Sequence, residues 1–458
     1  MVIESMLFGA EAVDVLGPSV MARGLVVIVI AACIAGAWTV ARNLRKAPPE
    51  RPTPGEYDAP LISDDLTTLR TAPITEPRAV RIFEVALIMS LLGYVFFDRG
   101  FAWIHIPGLP VFIGEVVLLL GAVAVFSQPS ELLAALRRSP ALKLLGLFMG
   151  WGFTLLVFLG IGYGLDAVRD SVLWYYGAVA VFTLFLLISD PQRIRRWMYG
   201  FSRILPWLVG WLFIAVALDS VFSSGPIIVP DSQVSFFSHG AGNSGVVAVM
   251  CLAFIWLVDR DSKFYTPTMR MGLTAACGTL LLFVSLKNRG GFVAGAIGIV
   301  LILIFLNRDR FDLTVTLVGI AAIIASVALV SQVSVALFGD REVSADQFVE
   351  NVTSIINPSS GGHRQTSTTE WRLELWKNVL GDVNSEFPIT GYGPGPDLGE
   401  IYNVAGSGAV KLRNPHNSHV GVIARMGWVG FGLWVLMWSV WALLLLDLRS
   451  RLAHRGRF

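Results

Sequence analysis

Residues 412 to 430 read LRNPHNSHVGVIARMGWVG and place two histidines, two asparagines and two arginines at the edge of a long apolar run. Imidazole, with an unperturbed pKa near 6.5, is the side chain best suited to take a proton from a hydroxyl at neutral pH. On a continuous helix His416 and His419, three residues apart, would share one face, so either could serve as a base, with Asn417 beside them as an orienting amide. A His-x-x-His pair is also a fragment of a zinc site. With no cysteine or third ligand nearby it is a weak one, and no metal is expected. Asn414 or Asn417 could instead cap the helix that follows, leaving both imidazoles at the interface.

Two further stretches could hold an anion. In SLKNRGGFVAG, residues 285 to 295, Arg289 precedes Gly290 and Gly291, whose bare backbone lets a bulky anion approach. A guanidinium grips two phosphate oxygens at once and keeps its charge in a dry site. An arginine snorkelling from a hairpin turn would look the same in sequence. In EWRLELW, residues 370 to 376, Arg372 and Trp376 are four apart and share a helical face, which suits a phosphate or sugar grip or an interfacial anchor. GYGPGPDLG, residues 391 to 399, lacks the Lys-Ser/Thr of a nucleotide loop and reads as a turn.

These residues must be positioned by membrane helices. Of 458 residues, 54% are hydrophobic and 15% charged, too apolar for a soluble chain of this length, and the net charge of +2 gives no sign of nucleic-acid binding. Apolar runs near 24–41, 80–97, 111–126, 141–162, 171–188, 203–222, 244–258, 271–286, 291–306, 313–337 and 417–446 predict an all-α integral membrane protein of about eleven transmembrane helices. The last run is interrupted at Gly427. Ten helices form a core, and one N-terminal anchor helix precedes it. With the N-terminus outside, eighteen Lys and Arg flank the inner ends and five the short outer segments, as the positive-inside bias requires.

The expected domains are the anchor over 1–41, a cytoplasmic linker over 42–79 carrying seven prolines, a core over 80–337, a large extracytoplasmic loop over 338–416, and a last span with a basic cytoplasmic tail over 417–458. Within the loop, residues 366–383 pattern as an amphipathic helix and 387–399 as a turn-rich return to the membrane. Residues 338–415 carry ten acidic and six basic groups, a net of −4, so the loop's average field does not attract a phosphate. Cys33, Cys251 and Cys277 all fall in apolar runs and are expected to be small hydrophobes.

The turn NRGG, the stretch WRLELWKNVL followed by FPITGYGPG, and PHNSHVGVIARMGWVG, in that order and topology, resemble the O-antigen ligase and O-antigen polymerase superfamily of bacterial membrane glycosyltransferases over roughly residues 200–446. The resemblance implies a glycan donor on a polyprenyl diphosphate, a glycan or glycolipid acceptor, no cofactor, and an active site on the outer face of the cytoplasmic membrane. It maps an essential arginine to Arg289, a second to Arg372 and an essential histidine to His416. Gly290 then joins the diphosphate site, and Asn417, His419 and Trp376 support it. Lys287 and Asn288 depart from the family's commoner serine-rich approach to Arg289. A lipid-linked oligosaccharide flippase is the main rival and a noncatalytic envelope scaffold a third reading. Residues 1–79 lie outside the resemblance and could dock envelope-biosynthesis partners.

Overall fold

The computed structural model describes residues 77–106, 109, 111–190, 192–222, 229, 234, 240–259, 264–287, 289–305, 363–402 and 413–454. Several stretches, among them 285–287, 289–290 and 363–370, are described as backbone only. The described chain is helical apart from one isolated bridge between His105 and Phe112. In order the helices are α1 (Arg78–Ala102), α2 (Ile113–Phe126), α3 (Pro129–Arg138), α4 (Pro140–Leu155), α5 (Leu165–Asp170), α6 (Val172–Tyr175) and α7 (Ala178–Ser189). There follow α8 (Gln192–Phe222), α9 (Ala241–Ala253), α10 (Pro267–Lys287), α11 (Arg289–Phe305), α12 (His363–Ser385), α13 (Leu398–Ile401) and α14 (Ser418–His454).

The expectation of about eleven spans is overturned. Among the described residues six helical stretches are long and apolar enough to cross a membrane: Arg78–Ala102, Pro140–Tyr163, Gln192–Val216, Gly242–Asp259, Pro267–Val284 and Ser418–Arg451. A seventh arises only if Leu165–Tyr175 and Ala178–Ser189, bent by 43°, count as one. The apolar runs at 111–126 and 291–306 form the shorter helices Ile113–Phe126 and Val293–Phe305. At 1.5 Å per residue the 14 residues of α2 reach about 21 Å, and α11 counted over its full 17 residues about 26 Å, both short of a hydrocarbon core of about 30 Å. The run at 24–41, expected as the anchor helix, and the run at 313–337 lie outside the described residues, as do residues 42–76 of the expected linker and 338–362 of the loop before α12. The long apolar helices make this a polytopic membrane protein. Large apolar side chains stay exposed along them, Phe158 by 73% and Trp207 by 78%, as a lipid-facing surface requires.

The chain divides into two compact units. The first contains Arg51–Pro129 and Phe185–Gly362. Its core packs Leu205, Leu208 and Leu212 of α8 with Ala248 and Cys251 of α9 and Cys277, Leu280 and Val284 of α10. Both cysteines are buried and free, as their apolar surroundings lead one to expect. Small residues bring α11 in close: a Cβ on Gly298 would lie 2.3 Å from Val249 of α9. Among its described residues, two buried charges meet partners of opposite sign. Glu84 of α1 accepts from Arg193 Nε at 3.0 Å and from Trp197 Nε1 at 2.8 Å, and buried Asp259 meets Arg270 at 2.9 Å. Asp98, with φ 44°, breaks the regular turn of α1 and accepts from the backbone amide of Gly240 and the side chain of Asn243.

The second unit contains Ser130–Leu184 and His363–Arg457. Its axis is α14, which breaks at Gly427 (φ 64°, ψ −168°), where the apolar run is interrupted. The break frees backbone groups that other segments satisfy. Tyr392 donates its amide to Ala424 O at 2.7 Å, Trp151 of α4 its indole to Met426 O at 2.9 Å, and the Trp428 amide reaches Pro388 O at 2.9 Å. Residues 387–397 thereby dock onto the break, with Gly391, Gly393 and Gly395 all at positive φ.

At Gly427 a Cβ would lie 2.1 Å from Ile389 O, in a backbone region that essentially only glycine occupies. Gly427→Ala should therefore lower the unfolding temperature of the purified protein in detergent by several degrees. Gly150→Ala, where no neighbouring heavy atom lies within 4 Å, should leave it unchanged.

Candidate functional site

The candidate groups of the second unit are set by how α12 lies on the start of α14. Leu375, Val379 and Val383 recur at four-residue spacing and are buried against Val420, Ile423 and Ala424, with Trp371 and Trp376 flanking this cluster. One apolar stripe thus fixes the rotation of α12 and the direction of Trp371 and Arg372. Trp376 donates its indole N–H to Pro415 O at 2.7 Å and so holds the residue just before His416.

His416 and His419 do not share a helix face, contrary to their spacing. Helix α14 begins at Ser418, and Asn417 Oδ1 caps it by accepting from the amides of His419 at 3.0 Å and Val420 at 3.4 Å. His416 precedes that cap in a left-handed conformation, φ 52°, and its side chain is exposed. Non-glycine residues adopt this region seldom, and histidine does so more readily than most. His419 turns onto the helix, where its Nδ1 accepts from Trp434 Nε1 at 3.2 Å and its ring meets Phe431 edge-on. An indole only donates, so the His419 proton is on Nε2 in this arrangement.

Trp371 links the expected base and cation. The His416 ring lies edge-on to it with centroids 6.3 Å apart, and the Arg372 guanidinium carbon is 5.3 Å from its ring centroid. Arg372 Nε is buried and, among the described residues, has no hydrogen-bond partner. A buried guanidinium donor without an acceptor is costly, and an anion that supplies one is held favourably. Arg289 and Gly290 are the first two residues of α11, in the other unit, and are described as backbone only.

A second constellation was not anticipated. Asp170 at the end of α5 accepts from Arg413 Nε at 3.0 Å and Nη2 at 3.1 Å, from Arg425 Nη2 at 3.1 Å and from the Gly395 amide at 2.8 Å. The same two arginines donate to carbonyls: Arg413 to Gly395 at 2.6 Å, Arg425 to Pro396 at 2.6 Å and to Arg413 itself at 3.4 Å. Hydrogen bonding to Asp170 raises the pKa of Arg413 above its ordinary value. The Arg425 side chain is only 6% exposed. From the same loop Tyr392, and from just after it Tyr402, both donate to Asp382 Oδ2, at 2.8 and 2.7 Å. Burial foremost pushes the Tyr392 phenol up to about 12 and also raises Tyr402, so both remain neutral donors at neutral pH. Among the described residues no group of three or more His, Cys, Asp or Glu is arranged to hold a metal ion.

Part of the chain matches a known family. An O-antigen ligase domain is present over residues 273–435. It covers a little over a third of the chain. Neither a curated protein nor a solved structure matches the sequence. With the long apolar helices, the match supports a membrane enzyme of the O-antigen ligase superfamily. The O-antigen ligase domain takes in Arg289, Arg372, His416, Arg413 and Arg425, whereas Asp170 lies before it. Sequence reasoning noticed Arg413 and Arg425 without giving them a role. An arginine inside an apolar run is itself the signal, because such a charge persists only with a buried partner.

Trp376→Phe keeps the packing of α12 and removes the bond to Pro415. Losing a bond of about 0.5–1.5 kcal/mol should speed amide hydrogen exchange over residues 413–418 by roughly twofold to tenfold, with α12 protected as before. Unchanged exchange would show that Trp376 does not hold this segment.

Proposed function

We propose that the protein transfers a preassembled glycan from a polyprenyl-diphosphate carrier to a sugar hydroxyl at the outer face of the cytoplasmic membrane, as a ligase or a polymerase. The observation that carries this reading is the Arg372–Trp371–His416 array inside the O-antigen ligase domain, with a buried guanidinium donor left over for an anion. A flat ring between a cation and an imidazole suits a substrate that presents a diphosphate and a sugar together.

In the proposed reaction His416 takes the proton of the acceptor hydroxyl as its oxygen attacks the anomeric carbon. The bond from that carbon to the diphosphate oxygen breaks, its electron pair leaves with the polyprenyl diphosphate, and the anomeric centre inverts. The leaving group is competent once its charge is neutralised, which is the task of Arg372 and, by resemblance, of Arg289 beside Gly290. Asn417 and His419 contribute through α14, the first as its cap and the second through Trp434; Trp376 acts through Pro415. No cofactor or nucleotide sugar takes part. Because the loop's net charge is −4, donor capture depends on placed arginines and on the prenyl tail in lipid. Residues 1–79 are left to dock envelope-biosynthesis partners.

The test is glycan transfer in reconstituted vesicles holding the cell's own polyprenyl-diphosphate glycan and a pool of acceptors, with chelator present. His416→Ala and Arg289→Ala should each lower transfer at least a hundredfold, and Arg372→Ala by tenfold or more with a raised KM for donor. Wild-type turnover in the first two variants would refute the assignment.

A further inference from the structure

A histidine held at positive φ costs free energy unless its surroundings enforce the conformation, so something must fix the backbone on both sides of His416. On the far side Asn417 is tied down as the cap of α14. On the near side Trp376 holds Pro415 O, and three residues before His416 stands Arg413, which Asp170 grips at two nitrogens. Arg425 closes the arrangement from α14 by donating one nitrogen to Asp170 and to the carbonyl of Arg413.

We infer that Asp170 is a positioning residue for the transfer reaction. It lies outside the O-antigen ligase domain, yet through Arg413 and Arg425 it fixes the backbone of residues 413–416 and so the direction in which the His416 imidazole is presented. The inference rests on the reading of His416 as the base. The geometry makes Asp170 the common point. One carboxylate, 9% exposed, receives donors from the Gly395 amide in the docked loop, from the segment leading to His416, and from the spanning helix α14. The two arginines in turn reach the carbonyls of Gly393, Gly395, Pro396 and Arg413. An arginine on one carboxylate is an ordinary ion pair. Two arginines on one carboxylate, each also bonded to main-chain carbonyls, form a brace whose loss frees both sides of the loop at once. Asp166 touches Arg413 at 3.3 Å but is half exposed and bonds none of these loop groups, so it cannot replace Asp170.

A brace of this kind acts on the rate more than on binding, because it sets the approach of the base and leaves the arginine grip on the donor untouched. A displacement of the base by about 1 Å is worth on the order of a hundredfold in rate. The experiment uses the full chain in vesicles with the same donor and acceptors, comparing Asp170→Asn, Arg413→Lys and His416→Ala, alone and with Asp170→Asn added to His416→Ala. Arg413→Lys keeps the charge and loses the two-point grip, and it serves should Asp170→Asn fail to fold. We expect kcat to fall thirtyfold to a hundredfold in either variant, with KM for donor within twofold of wild type. Hydrogen exchange should quicken over 413–418 but not over 371–383, and the double variant should be no slower than His416→Ala alone.

Unchanged exchange over 413–418 in both single variants would overturn the proposal, as would faster exchange with unchanged kcat, or losses that multiply in the double variant. Wild-type transfer in His416→Ala would overturn the base assignment itself, a failure seen in that variant before Asp170 is altered.

Discussion

A helix that breaks within a span frees amides and carbonyls that hydrocarbon cannot satisfy, so the break survives only where protein supplies partners. The second unit is organised around that requirement. At Gly427, about 14 Å from the start of α14, the freed groups of Ala424, Met426 and Trp428 bond to Tyr392, Trp151 and Pro388. The loop over residues 387–397 is therefore part of the membrane helix's own hydrogen bonding. Its glycines follow from the same constraint: at Gly391 a Cβ would lie 2.4 Å from Ala424 O, so a side chain there would push the loop off the break.

Once the loop is docked, its outward carbonyls need donors, and the arginines supply them. Arg425 sits two residues before the break and reaches Gly393 and Pro396, while Arg413 reaches Gly395. Two guanidinium groups so close would repel, and Asp170 between them removes that cost. Removing one member of such a set is expected to be worse than never having built it, since the remaining charge stays buried and unpaired. The candidate base inherits its place from this scaffold. His416 lies between a segment clasped by Asp170 and Trp376 on one side and the capped start of α14 on the other.

Much of this was legible in the sequence, for physical reasons that also mark where legibility stops. Hydropathy located all six spans found among the described residues, because about 20 apolar residues leave a signal that tertiary contacts do not disguise. It overcounted where apolar runs were short: residues 111–126 are apolar apart from Glu115, yet form a helix of only 14 residues. The run at 171–188 is likewise apolar but bent, its first part belonging to Leu165–Tyr175. The amphipathic stripe of α12 and the interruption at Gly427 were readable from spacing and composition. The separation of His416 from His419 was not, since a three-residue spacing describes a helix only if the helix has begun, and Asn417 delays it. Asp170 left no local trace. Its partners lie 225 to 255 positions further along the chain, and no periodicity records such a pairing.

The central claim is direct displacement of a polyprenyl diphosphate by a sugar hydroxyl, and the released lipid tests it most directly. Purified protein in vesicles would be given donor labelled in its lipid, with acceptor in excess, and the lipid product counted against the glycan transferred. The account predicts one polyprenyl diphosphate, still carrying both phosphates, for each glycan joined, and release from His416→Ala lowered at least a hundredfold in step with transfer. Labelled donor crossing the bilayer intact, with no glycan joined and no lipid diphosphate released, would contradict it and point to transport.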